Sequence, residues 1–221
     1  MNVSVADKDN WRFFKSYLRI WLPVILVLGV GLWLPEKMDT DSRLANIKLE
    51  ESSLVKRANE IIRINMDIVQ RDTLYLAQHS ALQRLLNQPQ AETRQALARD
   101  LQAFARYRGL YDQIRYIDQR GQEIVRVEWA QGRPRITPAK ALQNKANRYY
   151  VKNTKVLARG ELYISPFDLN VENGTIEQPP KPVFRIATPV YDQQGRRRGM
   201  VVLNYLGKNL LQDLLELREQ S

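Results

Sequence analysis

Between Gly160 and Gly207 the chain reads GELYISPFDLNVENGTIEQPPKPVFRIATPVYDQQGRRRGMVVLNYLG, and this block constrains the fold most tightly. Val183–Asp192 and Met200–Leu206 are rich in β-branched and aromatic residues, which suit a pleated, half-buried surface. Gln194-Gly195 lies between them, and glycine supplies the positive φ that a tight turn needs. The block therefore reads as three strands with two connections, one an irregular loop and one a tight turn.

Upstream the period is different. From Asp39 to about Asn87, apolar residues such as Leu54, Ile61, Ile68, Leu76 and Leu85 fall mostly three, four or seven apart. That spacing predicts a long amphipathic helix with coiled-coil-like stretches, a rod of roughly 70 Å. Such a rod either pairs with a second chain as a homodimer or packs only on its own domain. Asn87-Gln88-Pro89 breaks it, and Pro89 can open a second helix carrying Leu97, Leu101 and Phe104 and ending at Gly109. Tyr111–Asp118 and Glu123–Trp129 then alternate with period two around Gln119-Arg120-Gly121, a hairpin signal. Ile114, Tyr116, Ile124 and Val127 are candidates for its core side. Gly132–Pro138 reads as a polar connection, Leu142–Leu157 as helical or partly so, and Lys208–Gln220 as a closing helix.

Near the N-terminus, Ile20–Leu34 is IWLPVILVLGVGLWL, without a charge. With Tyr17–Arg19 it approaches the length needed to cross a bilayer. Trp21 and Trp33 sit near its ends, basic residues precede it, and Glu36, Asp39 and Asp41 follow it. By the positive-inside rule the N-terminus is cytoplasmic and everything after Pro35 lies outside the membrane. A cleaved signal peptide would show a small-residue site after the run, and Trp-Leu-Pro-Glu-Lys is a poor one. The expected divisions are a cytoplasmic tail (1–16), a transmembrane helix (17–35), two helices (36–109), a sheet module (110–207) and a C-terminal helix (208–221).

The net charge is +10, and the first 35 residues carry four cations against two acids, which leaves +8 on the remainder. Those charges are scattered except at Arg196-Arg197-Arg198, so a solvated basic face is favoured over a nucleic-acid surface. With no cysteine, disulfides, thiolate metal sites and a cysteine nucleophile are excluded.

Taken in order, these elements give an α+β chain with a five-stranded antiparallel sheet flanked by helices, a PAS-like arrangement. Particular residues support a family. Tyr111–Asp118 with Gly121-Gln122-Glu123, Arg148-Tyr149-Tyr150, Ser165–Asn170, Lys181-Pro182, Arg185, Thr188-Pro189-Val190 and Gly199 with Asn204–Gly207 resemble the periplasmic double-Cache sensor domains of bacterial histidine kinases and diguanylate cyclases. The likeness spans roughly residues 40–210, in the order of the membrane-distal module. A complete receptor of that kind continues into a second module, a second transmembrane helix and an output domain. The chain read here would then be a fragment, or a short protein acting through another chain.

No catalytic constellation stands out. His79, the single histidine, lacks evident companion ligands for a metal and reads as a solvent-facing helix residue. Ser80 beside it diverges by 100° on a helix, which spoils a nucleophile–base pair. No cofactor is implied. The resemblance places a small-ligand pocket under the segment around Arg148, where an arginine fork can hold a carboxylate and tyrosines can flank it. Amino-acid-binding relatives use an Arg–aromatic cluster with an aspartate for the ligand amine, a part Asp168 can play. Arg185 and Thr188 can point inward from a central strand. The ligand-binding candidates are thus Arg148, Tyr149, Tyr150, Asp168, Arg185 and Thr188, for an amino acid or organic acid. The competing reading makes the tyrosines packing residues and pairs Arg148 with Asp168 structurally, in a membrane-tethered interaction module without a small ligand.

Overall fold

The computed structural model describes residues 6–172, 175–176, 178 and 180–219. The chain divides into two compact units, Met1–Lys56 and Arg57–Ser221. Within the first, the described residues are helical, as the N-terminal part of α1 (Ala6–Ala77). Leu18, Trp21, Leu22, Val24, Leu26, Val27, Leu28 and Trp33 are exposed there, and the side chains of Ile20, Ile25, Val30, Leu32 and Leu34 lie outside the described residues. Among the described residues no helix is long and apolar enough to cross a membrane. Part of the expected cytoplasmic tail, residues 1–5, also lies outside the described residues, as do the side chains of Leu44 and Ile47.

The second unit begins within α1. The long helix does not run on to Asn87 but ends at Ala77, and α2 (Ser80–Asn87) starts afresh. His79 is not a mid-helix residue: it caps α2, its ring Nδ1 accepting from the Ala81 N–H at 3.3 Å. Helical spacing alone hides such a break, because both helices bury the same kind of apolar stripe. The next helix, α3 (Ala91–Arg108), starts two residues after Pro89, with Gln90 as its N-cap and Thr93 completing a reciprocal capping box. Gly109 ends it at φ +63°, the left-handed cap expected.

Strands β1 (Tyr111–Ile117) and β2 (Glu123–Ala130) follow. The supposed connection after Gly132 contains a further strand, β3 (Arg133–Ile136). Gln131 and Gly132 form its two-residue hairpin turn, with φ of +53° and +75° and Ala130 facing Arg133. That is the turn in which both central residues need positive φ. Only Tyr149–Lys155 of the Leu142–Leu157 stretch is α-helical (α4), after a short 3₁₀ turn at Ala139–Ala141. Two short edge strands, β4 (Tyr163–Ile164) and β5 (Asp168–Leu169), precede a small separate hairpin of β6 (Val171–Glu172) and β7 (Thr175–Ile176). Last come β8 (Pro182–Tyr191), β9 (Arg197–Leu206) and α5 (Gly207–Glu219).

The main sheet is antiparallel in the order β3-β2-β1-β9-β8-β4, and β5 also pairs with β8. Of the five expected strands, β1, β2, β8 and β9 are present at length and the first strand of the Gly160–Gly207 block is only the short β4; β3 and β5 are additions to the expected sheet. Helices cover both faces. One face carries Ile114, Tyr116, Val125, Val127, Ile186, Val201, Leu203 and Tyr205, packed with Val69 and Leu76 of α1, Leu82 and Leu85 of α2, and Leu97 and Leu101 of α3. The other carries a smaller apolar cluster of Ile117, Ala187, Met200 and Val202 with Tyr150 and Val151 of α4. This explains why alternation along β1 is imperfect: all seven of its residues are buried. At Gly199, φ is +133° and a Cβ would lie 2.1 Å from the Ile117 carbonyl oxygen, so only glycine lets β9 approach β1 there.

Candidate functional site

Side chains on a strand alternate between faces. On β1 the odd positions Gln113 and Arg115 turn away from the large core, as do Arg126 on β2, Arg185 on β8 and Asn204 on β9. Register aligns them: Arg115 faces Arg126, Gln113 faces Asn204, and Asn204 faces Arg185. An open sheet would leave these groups in water. Here α4 and the loop through Asn170 cover them, and Gln113, Arg115, Arg126, Asn170, Arg185 and Asn204 are all buried.

Burying a guanidinium is costly unless its charge and donors find partners. Arg185, 1% exposed, pairs with Asp168 at 2.5 Å, and Asp168 keeps 35% side-chain exposure. The Arg185 guanidinium also donates to the Tyr149 hydroxyl at 3.1 Å and to Asn170 Oδ1 at 3.2 Å. Tyr149 in turn donates to Asp168 Oδ2 at 2.6 Å, and Asn204 Nδ2 donates to Asn170 Oδ1 at 3.3 Å. Burial raises the Tyr149 phenol above its ordinary range, and its bond to Asp168 raises it further. Arg115 donates to the phenolic oxygen of Tyr150 at 2.8 Å. Two buried arginines approach the Tyr150 ring, with centroid distances of 5.8 Å to Arg115 and 5.4 Å to Arg185. Such contacts are cation–π interactions, strengthened by desolvation.

The periphery is also charged. Glu123 lies 3.9 Å from Arg115 Nε and 3.3 Å from Arg126. Lys181 pairs with Asp112 at 3.2 Å. Some hydrogen-bonding capacity within this buried network is unmet: Arg185 Nε, Asn204 Oδ1 and Glu123 Oε1 have no hydrogen-bond partner among the described residues. Buried polar atoms of that kind are uncommon and mark places where further atoms can bind.

Four of the six candidates therefore converge: Tyr149, Tyr150, Asp168 and Arg185. Arg148 stands at the N-cap of α4, half-buried, with its guanidinium 6.0 Å over the Tyr149 ring. The suggested Arg148–Asp168 pair is not formed; Arg185 is the partner of Asp168. Thr188 points away from the cluster. It is three residues from Arg185, hence on the opposite face, and donates to the Glu161 carbonyl at 2.7 Å. Arg115, Asn170, Asn204 and Gln113 were missed. The signal of the three strand residues, Gln113, Arg115 and Asn204, was polar side chains at alternate positions of apolar strands, which in sequence is also the pattern of a solvent-facing side; Asn170 lies in a loop.

Arg197 helps hold the cover in place. Its guanidinium reaches the carbonyls of Thr154, Lys155 and Leu157 at the C-terminal end of α4, where a helix leaves acceptors unpaired. Three of the surface cavities, of about 310, 460 and 530 Å³, are lined by other residues than these six, apart from Thr188 in the first.

Residues 54–217 match the family model described as the sensor domain of bacterial histidine kinases. The chain belongs to that family. The match is to a sensor domain, which is not catalytic by itself. Among solved structures, this sensor domain is similar to the extracellular domain described as that of histidine kinase vpHK1S-Z8. That pair shares 25% identity with a TM-score of 0.64, covering 71% of this chain and 56% of that one. It is also similar to a domain assigned to the sensory box/GGDEF family from Vibrio parahaemolyticus, at 25% identity and a TM-score of 0.61, covering 67% and 56% of the two chains. The ligand-binding domain of the Campylobacter jejuni chemoreceptor Tlp3, solved with 4-methylisoleucine, shares the fold at 12% identity and a TM-score of 0.57, covering 73% and 59%. The chain thus spans under two thirds of the length of these structures. No curated protein sequence matches it.

Proposed function

We propose that this sensor domain binds a small carboxylate-bearing ligand, an amino acid or organic acid, on the sheet face beneath α4. The observation that carries the reading is the pair of buried guanidinium groups, Arg115 and Arg185, both close to the Tyr150 ring, whose surrounding network leaves Arg185 Nε and Asn204 Oδ1 without hydrogen-bond partners among the described residues. Two desolvated guanidinium groups favour an anion, and an arginine fork holds a carboxylate with two parallel bonds. Asp168, in part exposed, is suited to meet a ligand amine once Arg185 turns to the ligand. Arg148 and Tyr149, at the start of α4, form the gate. Tlp3, with the same fold, is described in complex with an amino-acid derivative, which supports this ligand class.

In this reading the domain is periplasmic and anchored by the apolar run around Ile20–Leu34, whose exposed Trp21, Leu26, Val27 and Trp33 suit a lipid environment. A path from the site to α1 supports signalling. Asn204 faces the network, and its neighbour Tyr205 faces the other way, donating to Asn65 Oδ1 of α1 at 2.8 Å. Asn65 also contacts Asp213 of α5 at 3.3 Å. A ligand that shifts β9 is therefore felt on both terminal helices.

A second reading rests on the Asp168–Arg185 pair itself. The cluster neutralises its main charge internally, as a structural network does, and the domain would then act through a partner chain such as a homodimer mate. Thermal-shift screening of the full chain against amino acids, organic acids and amines separates the two. Ligand at about a hundred times its Kd stabilises by about 2.7 kcal/mol. The sensing reading expects one chemical class to raise Tm, and the rise to disappear in Arg148→Ala and Asp168→Ala. No shift by any class, or a shift unchanged in both variants, refutes it.

A further inference from the structure

A second concave surface lies on the opposite side of the sheet, at the end where two hairpin turns meet the α2–α3 junction. Its floor is apolar: Leu85, Leu86 and Tyr116 are buried beneath it, and Pro89 and Ile124 complete it. Its volume is about 460 Å³. Its rim is basic, formed by Arg120 of the β1–β2 turn and Arg196, Arg197 and Arg198 of the β8–β9 hairpin, with Asp118 also present. The two turns are tied together, which makes the rim a fixed structure. Tyr116 donates its hydroxyl to the Arg198 carbonyl at 2.7 Å, and Gln119 donates to the Arg197 carbonyl.

The charges on this rim are not evenly answered. Asp118 is engaged by backbone N–H groups of its own turn, those of Arg120 and Gln122 at 2.9 and 2.8 Å. Asp192 is engaged by Arg196 at 2.9 Å and Arg198 at 3.3 Å. Burial pushes the Asp192 carboxyl up, but the Arg196 N–H and guanidinium outweigh it and hold the acid below its usual range, ionised at neutral pH. Two carboxylates thus stand against four arginines. Arg197 is spent on the end of α4, whereas the Arg120 side chain has no hydrogen bond or ion pair among the described residues. Arg198 contacts Asp192 through one of its three nitrogens, which leaves the N–H groups of the other two for the groove.

We propose that this groove is a binding site for a small amphiphilic organic anion, distinct from the site under α4. The apolar body lies on Leu85, Leu86, Tyr116 and Ile124, and a single carboxylate or sulfonate head meets Arg120 and Arg198. The volume is in the range of small-molecule sites, about 300–1,000 Å³, and the plan of an apolar wall with a few convergent polar groups is theirs. The excess of positive charge on the rim argues for the anionic head, and the apolar side chains of the floor argue against an inorganic anion alone. Tyr116 and Arg115 are neighbours on β1 with opposite facing, so the two sites lie on opposite faces of the sheet, and only Arg197 of the rim also reaches the end of α4.

The test is calorimetric titration of the full chain in lipid nanodiscs with 4-phenylbutyrate, subtracting empty nanodiscs. Acetate and 4-phenylbutanol serve as head-only and body-only controls. A ligand of this size at ordinary efficiency binds with Kd of about 0.1–1 mM. Each control is expected to bind about tenfold more weakly or less, and Arg120→Glu, on an exposed turn, to weaken phenylbutyrate by about tenfold. Arg198→Ala is expected to weaken it to a similar degree. Acetate binding as well as phenylbutyrate would show a charge site without an apolar specificity and overturn the proposal. Equal binding of phenylbutanol, no binding at all, or unchanged affinity in Arg120→Glu would overturn it as well.

Discussion

Removing Asp168 should destabilise the sensor domain more than removing Arg185, although the two form one ion pair. The reason is their unequal burial: Arg185 is 1% exposed and Asp168 35%. Breaking a buried pair by deleting one partner costs about 3–5 kcal/mol, because the survivor is a buried charge without its counterpart. In Asp168→Ala the survivor is Arg185, which keeps the Tyr149 hydroxyl, Asn170 Oδ1 and the Tyr150 ring. Those contacts place the cost near the lower end, about 3 kcal/mol. In Arg185→Met the survivor is Asp168, which water reaches and which still accepts from Tyr149. The methionine fills much of the same volume, so the cost falls to about 1 kcal/mol. Urea denaturation of both variants and of the double variant measures this. We predict that the double variant lies within about 0.5 kcal/mol of Arg185→Met, since the two sites are one interaction. If Arg185→Met costs as much as Asp168→Ala, the asymmetry argument is wrong and the pair is not held by burial in the way described.

Two further outcomes follow from other parts of the molecule. Burial raises the phenols of Tyr111, Tyr116 and Tyr149, and burial with the Asp213 charge pushes Tyr205 up to about 12. An unfolded tyrosine loses its proton near about pH 10, so above that pH the unfolded chain binds fewer protons than the native one. Stability is therefore fully present below about pH 10 and is lost as pH rises toward 12; Tm measured from pH 9 to 12 should fall steeply, and less steeply in Tyr205→Phe, an equal slope refuting the assignment. Gly199→Ala places a Cβ 2.1 Å from the Ile117 carbonyl at φ +133°, and is expected to cost about 3 kcal/mol or more, read as a collapse of Tm or of soluble yield.

The elements that sequence made legible are those with a local signal. The β8–β9 hairpin declared itself through β-branched composition and Gln194-Gly195, and α3 through its stripe and Gly109. Strand β3 was hidden because Arg133-Pro134-Arg135 lacks β propensity; it exists because Gln131-Gly132 folds it back onto β2. The break at His79 was hidden because a helix stripe continues in period across it. Of the candidate site, Tyr149, Tyr150, Asp168 and Arg185 were found through their resemblance to a sensor motif. Thr188 was misplaced although strand parity was legible: three residues from Arg185 on one strand, it cannot share that residue's face.

By itself the sequence determined that Gly160–Gly207 folds as strands, that a helical segment precedes a sheet, and that no cysteine chemistry operates. These follow from local preferences of the backbone and side chains. Tertiary structure alone decided which polar strand residues come together in one place. Arg115, Arg126, Arg185 and Asn204 lie on four different strand segments, and only the order β2-β1-β9-β8 and its register put them on one patch. Only α4 above them turns a surface that would be solvated into one where charge is desolvated and strong. The same strands present Tyr116 and the hairpin arginines to the other side, and burial, a property of the packed chain, separates one face from the other.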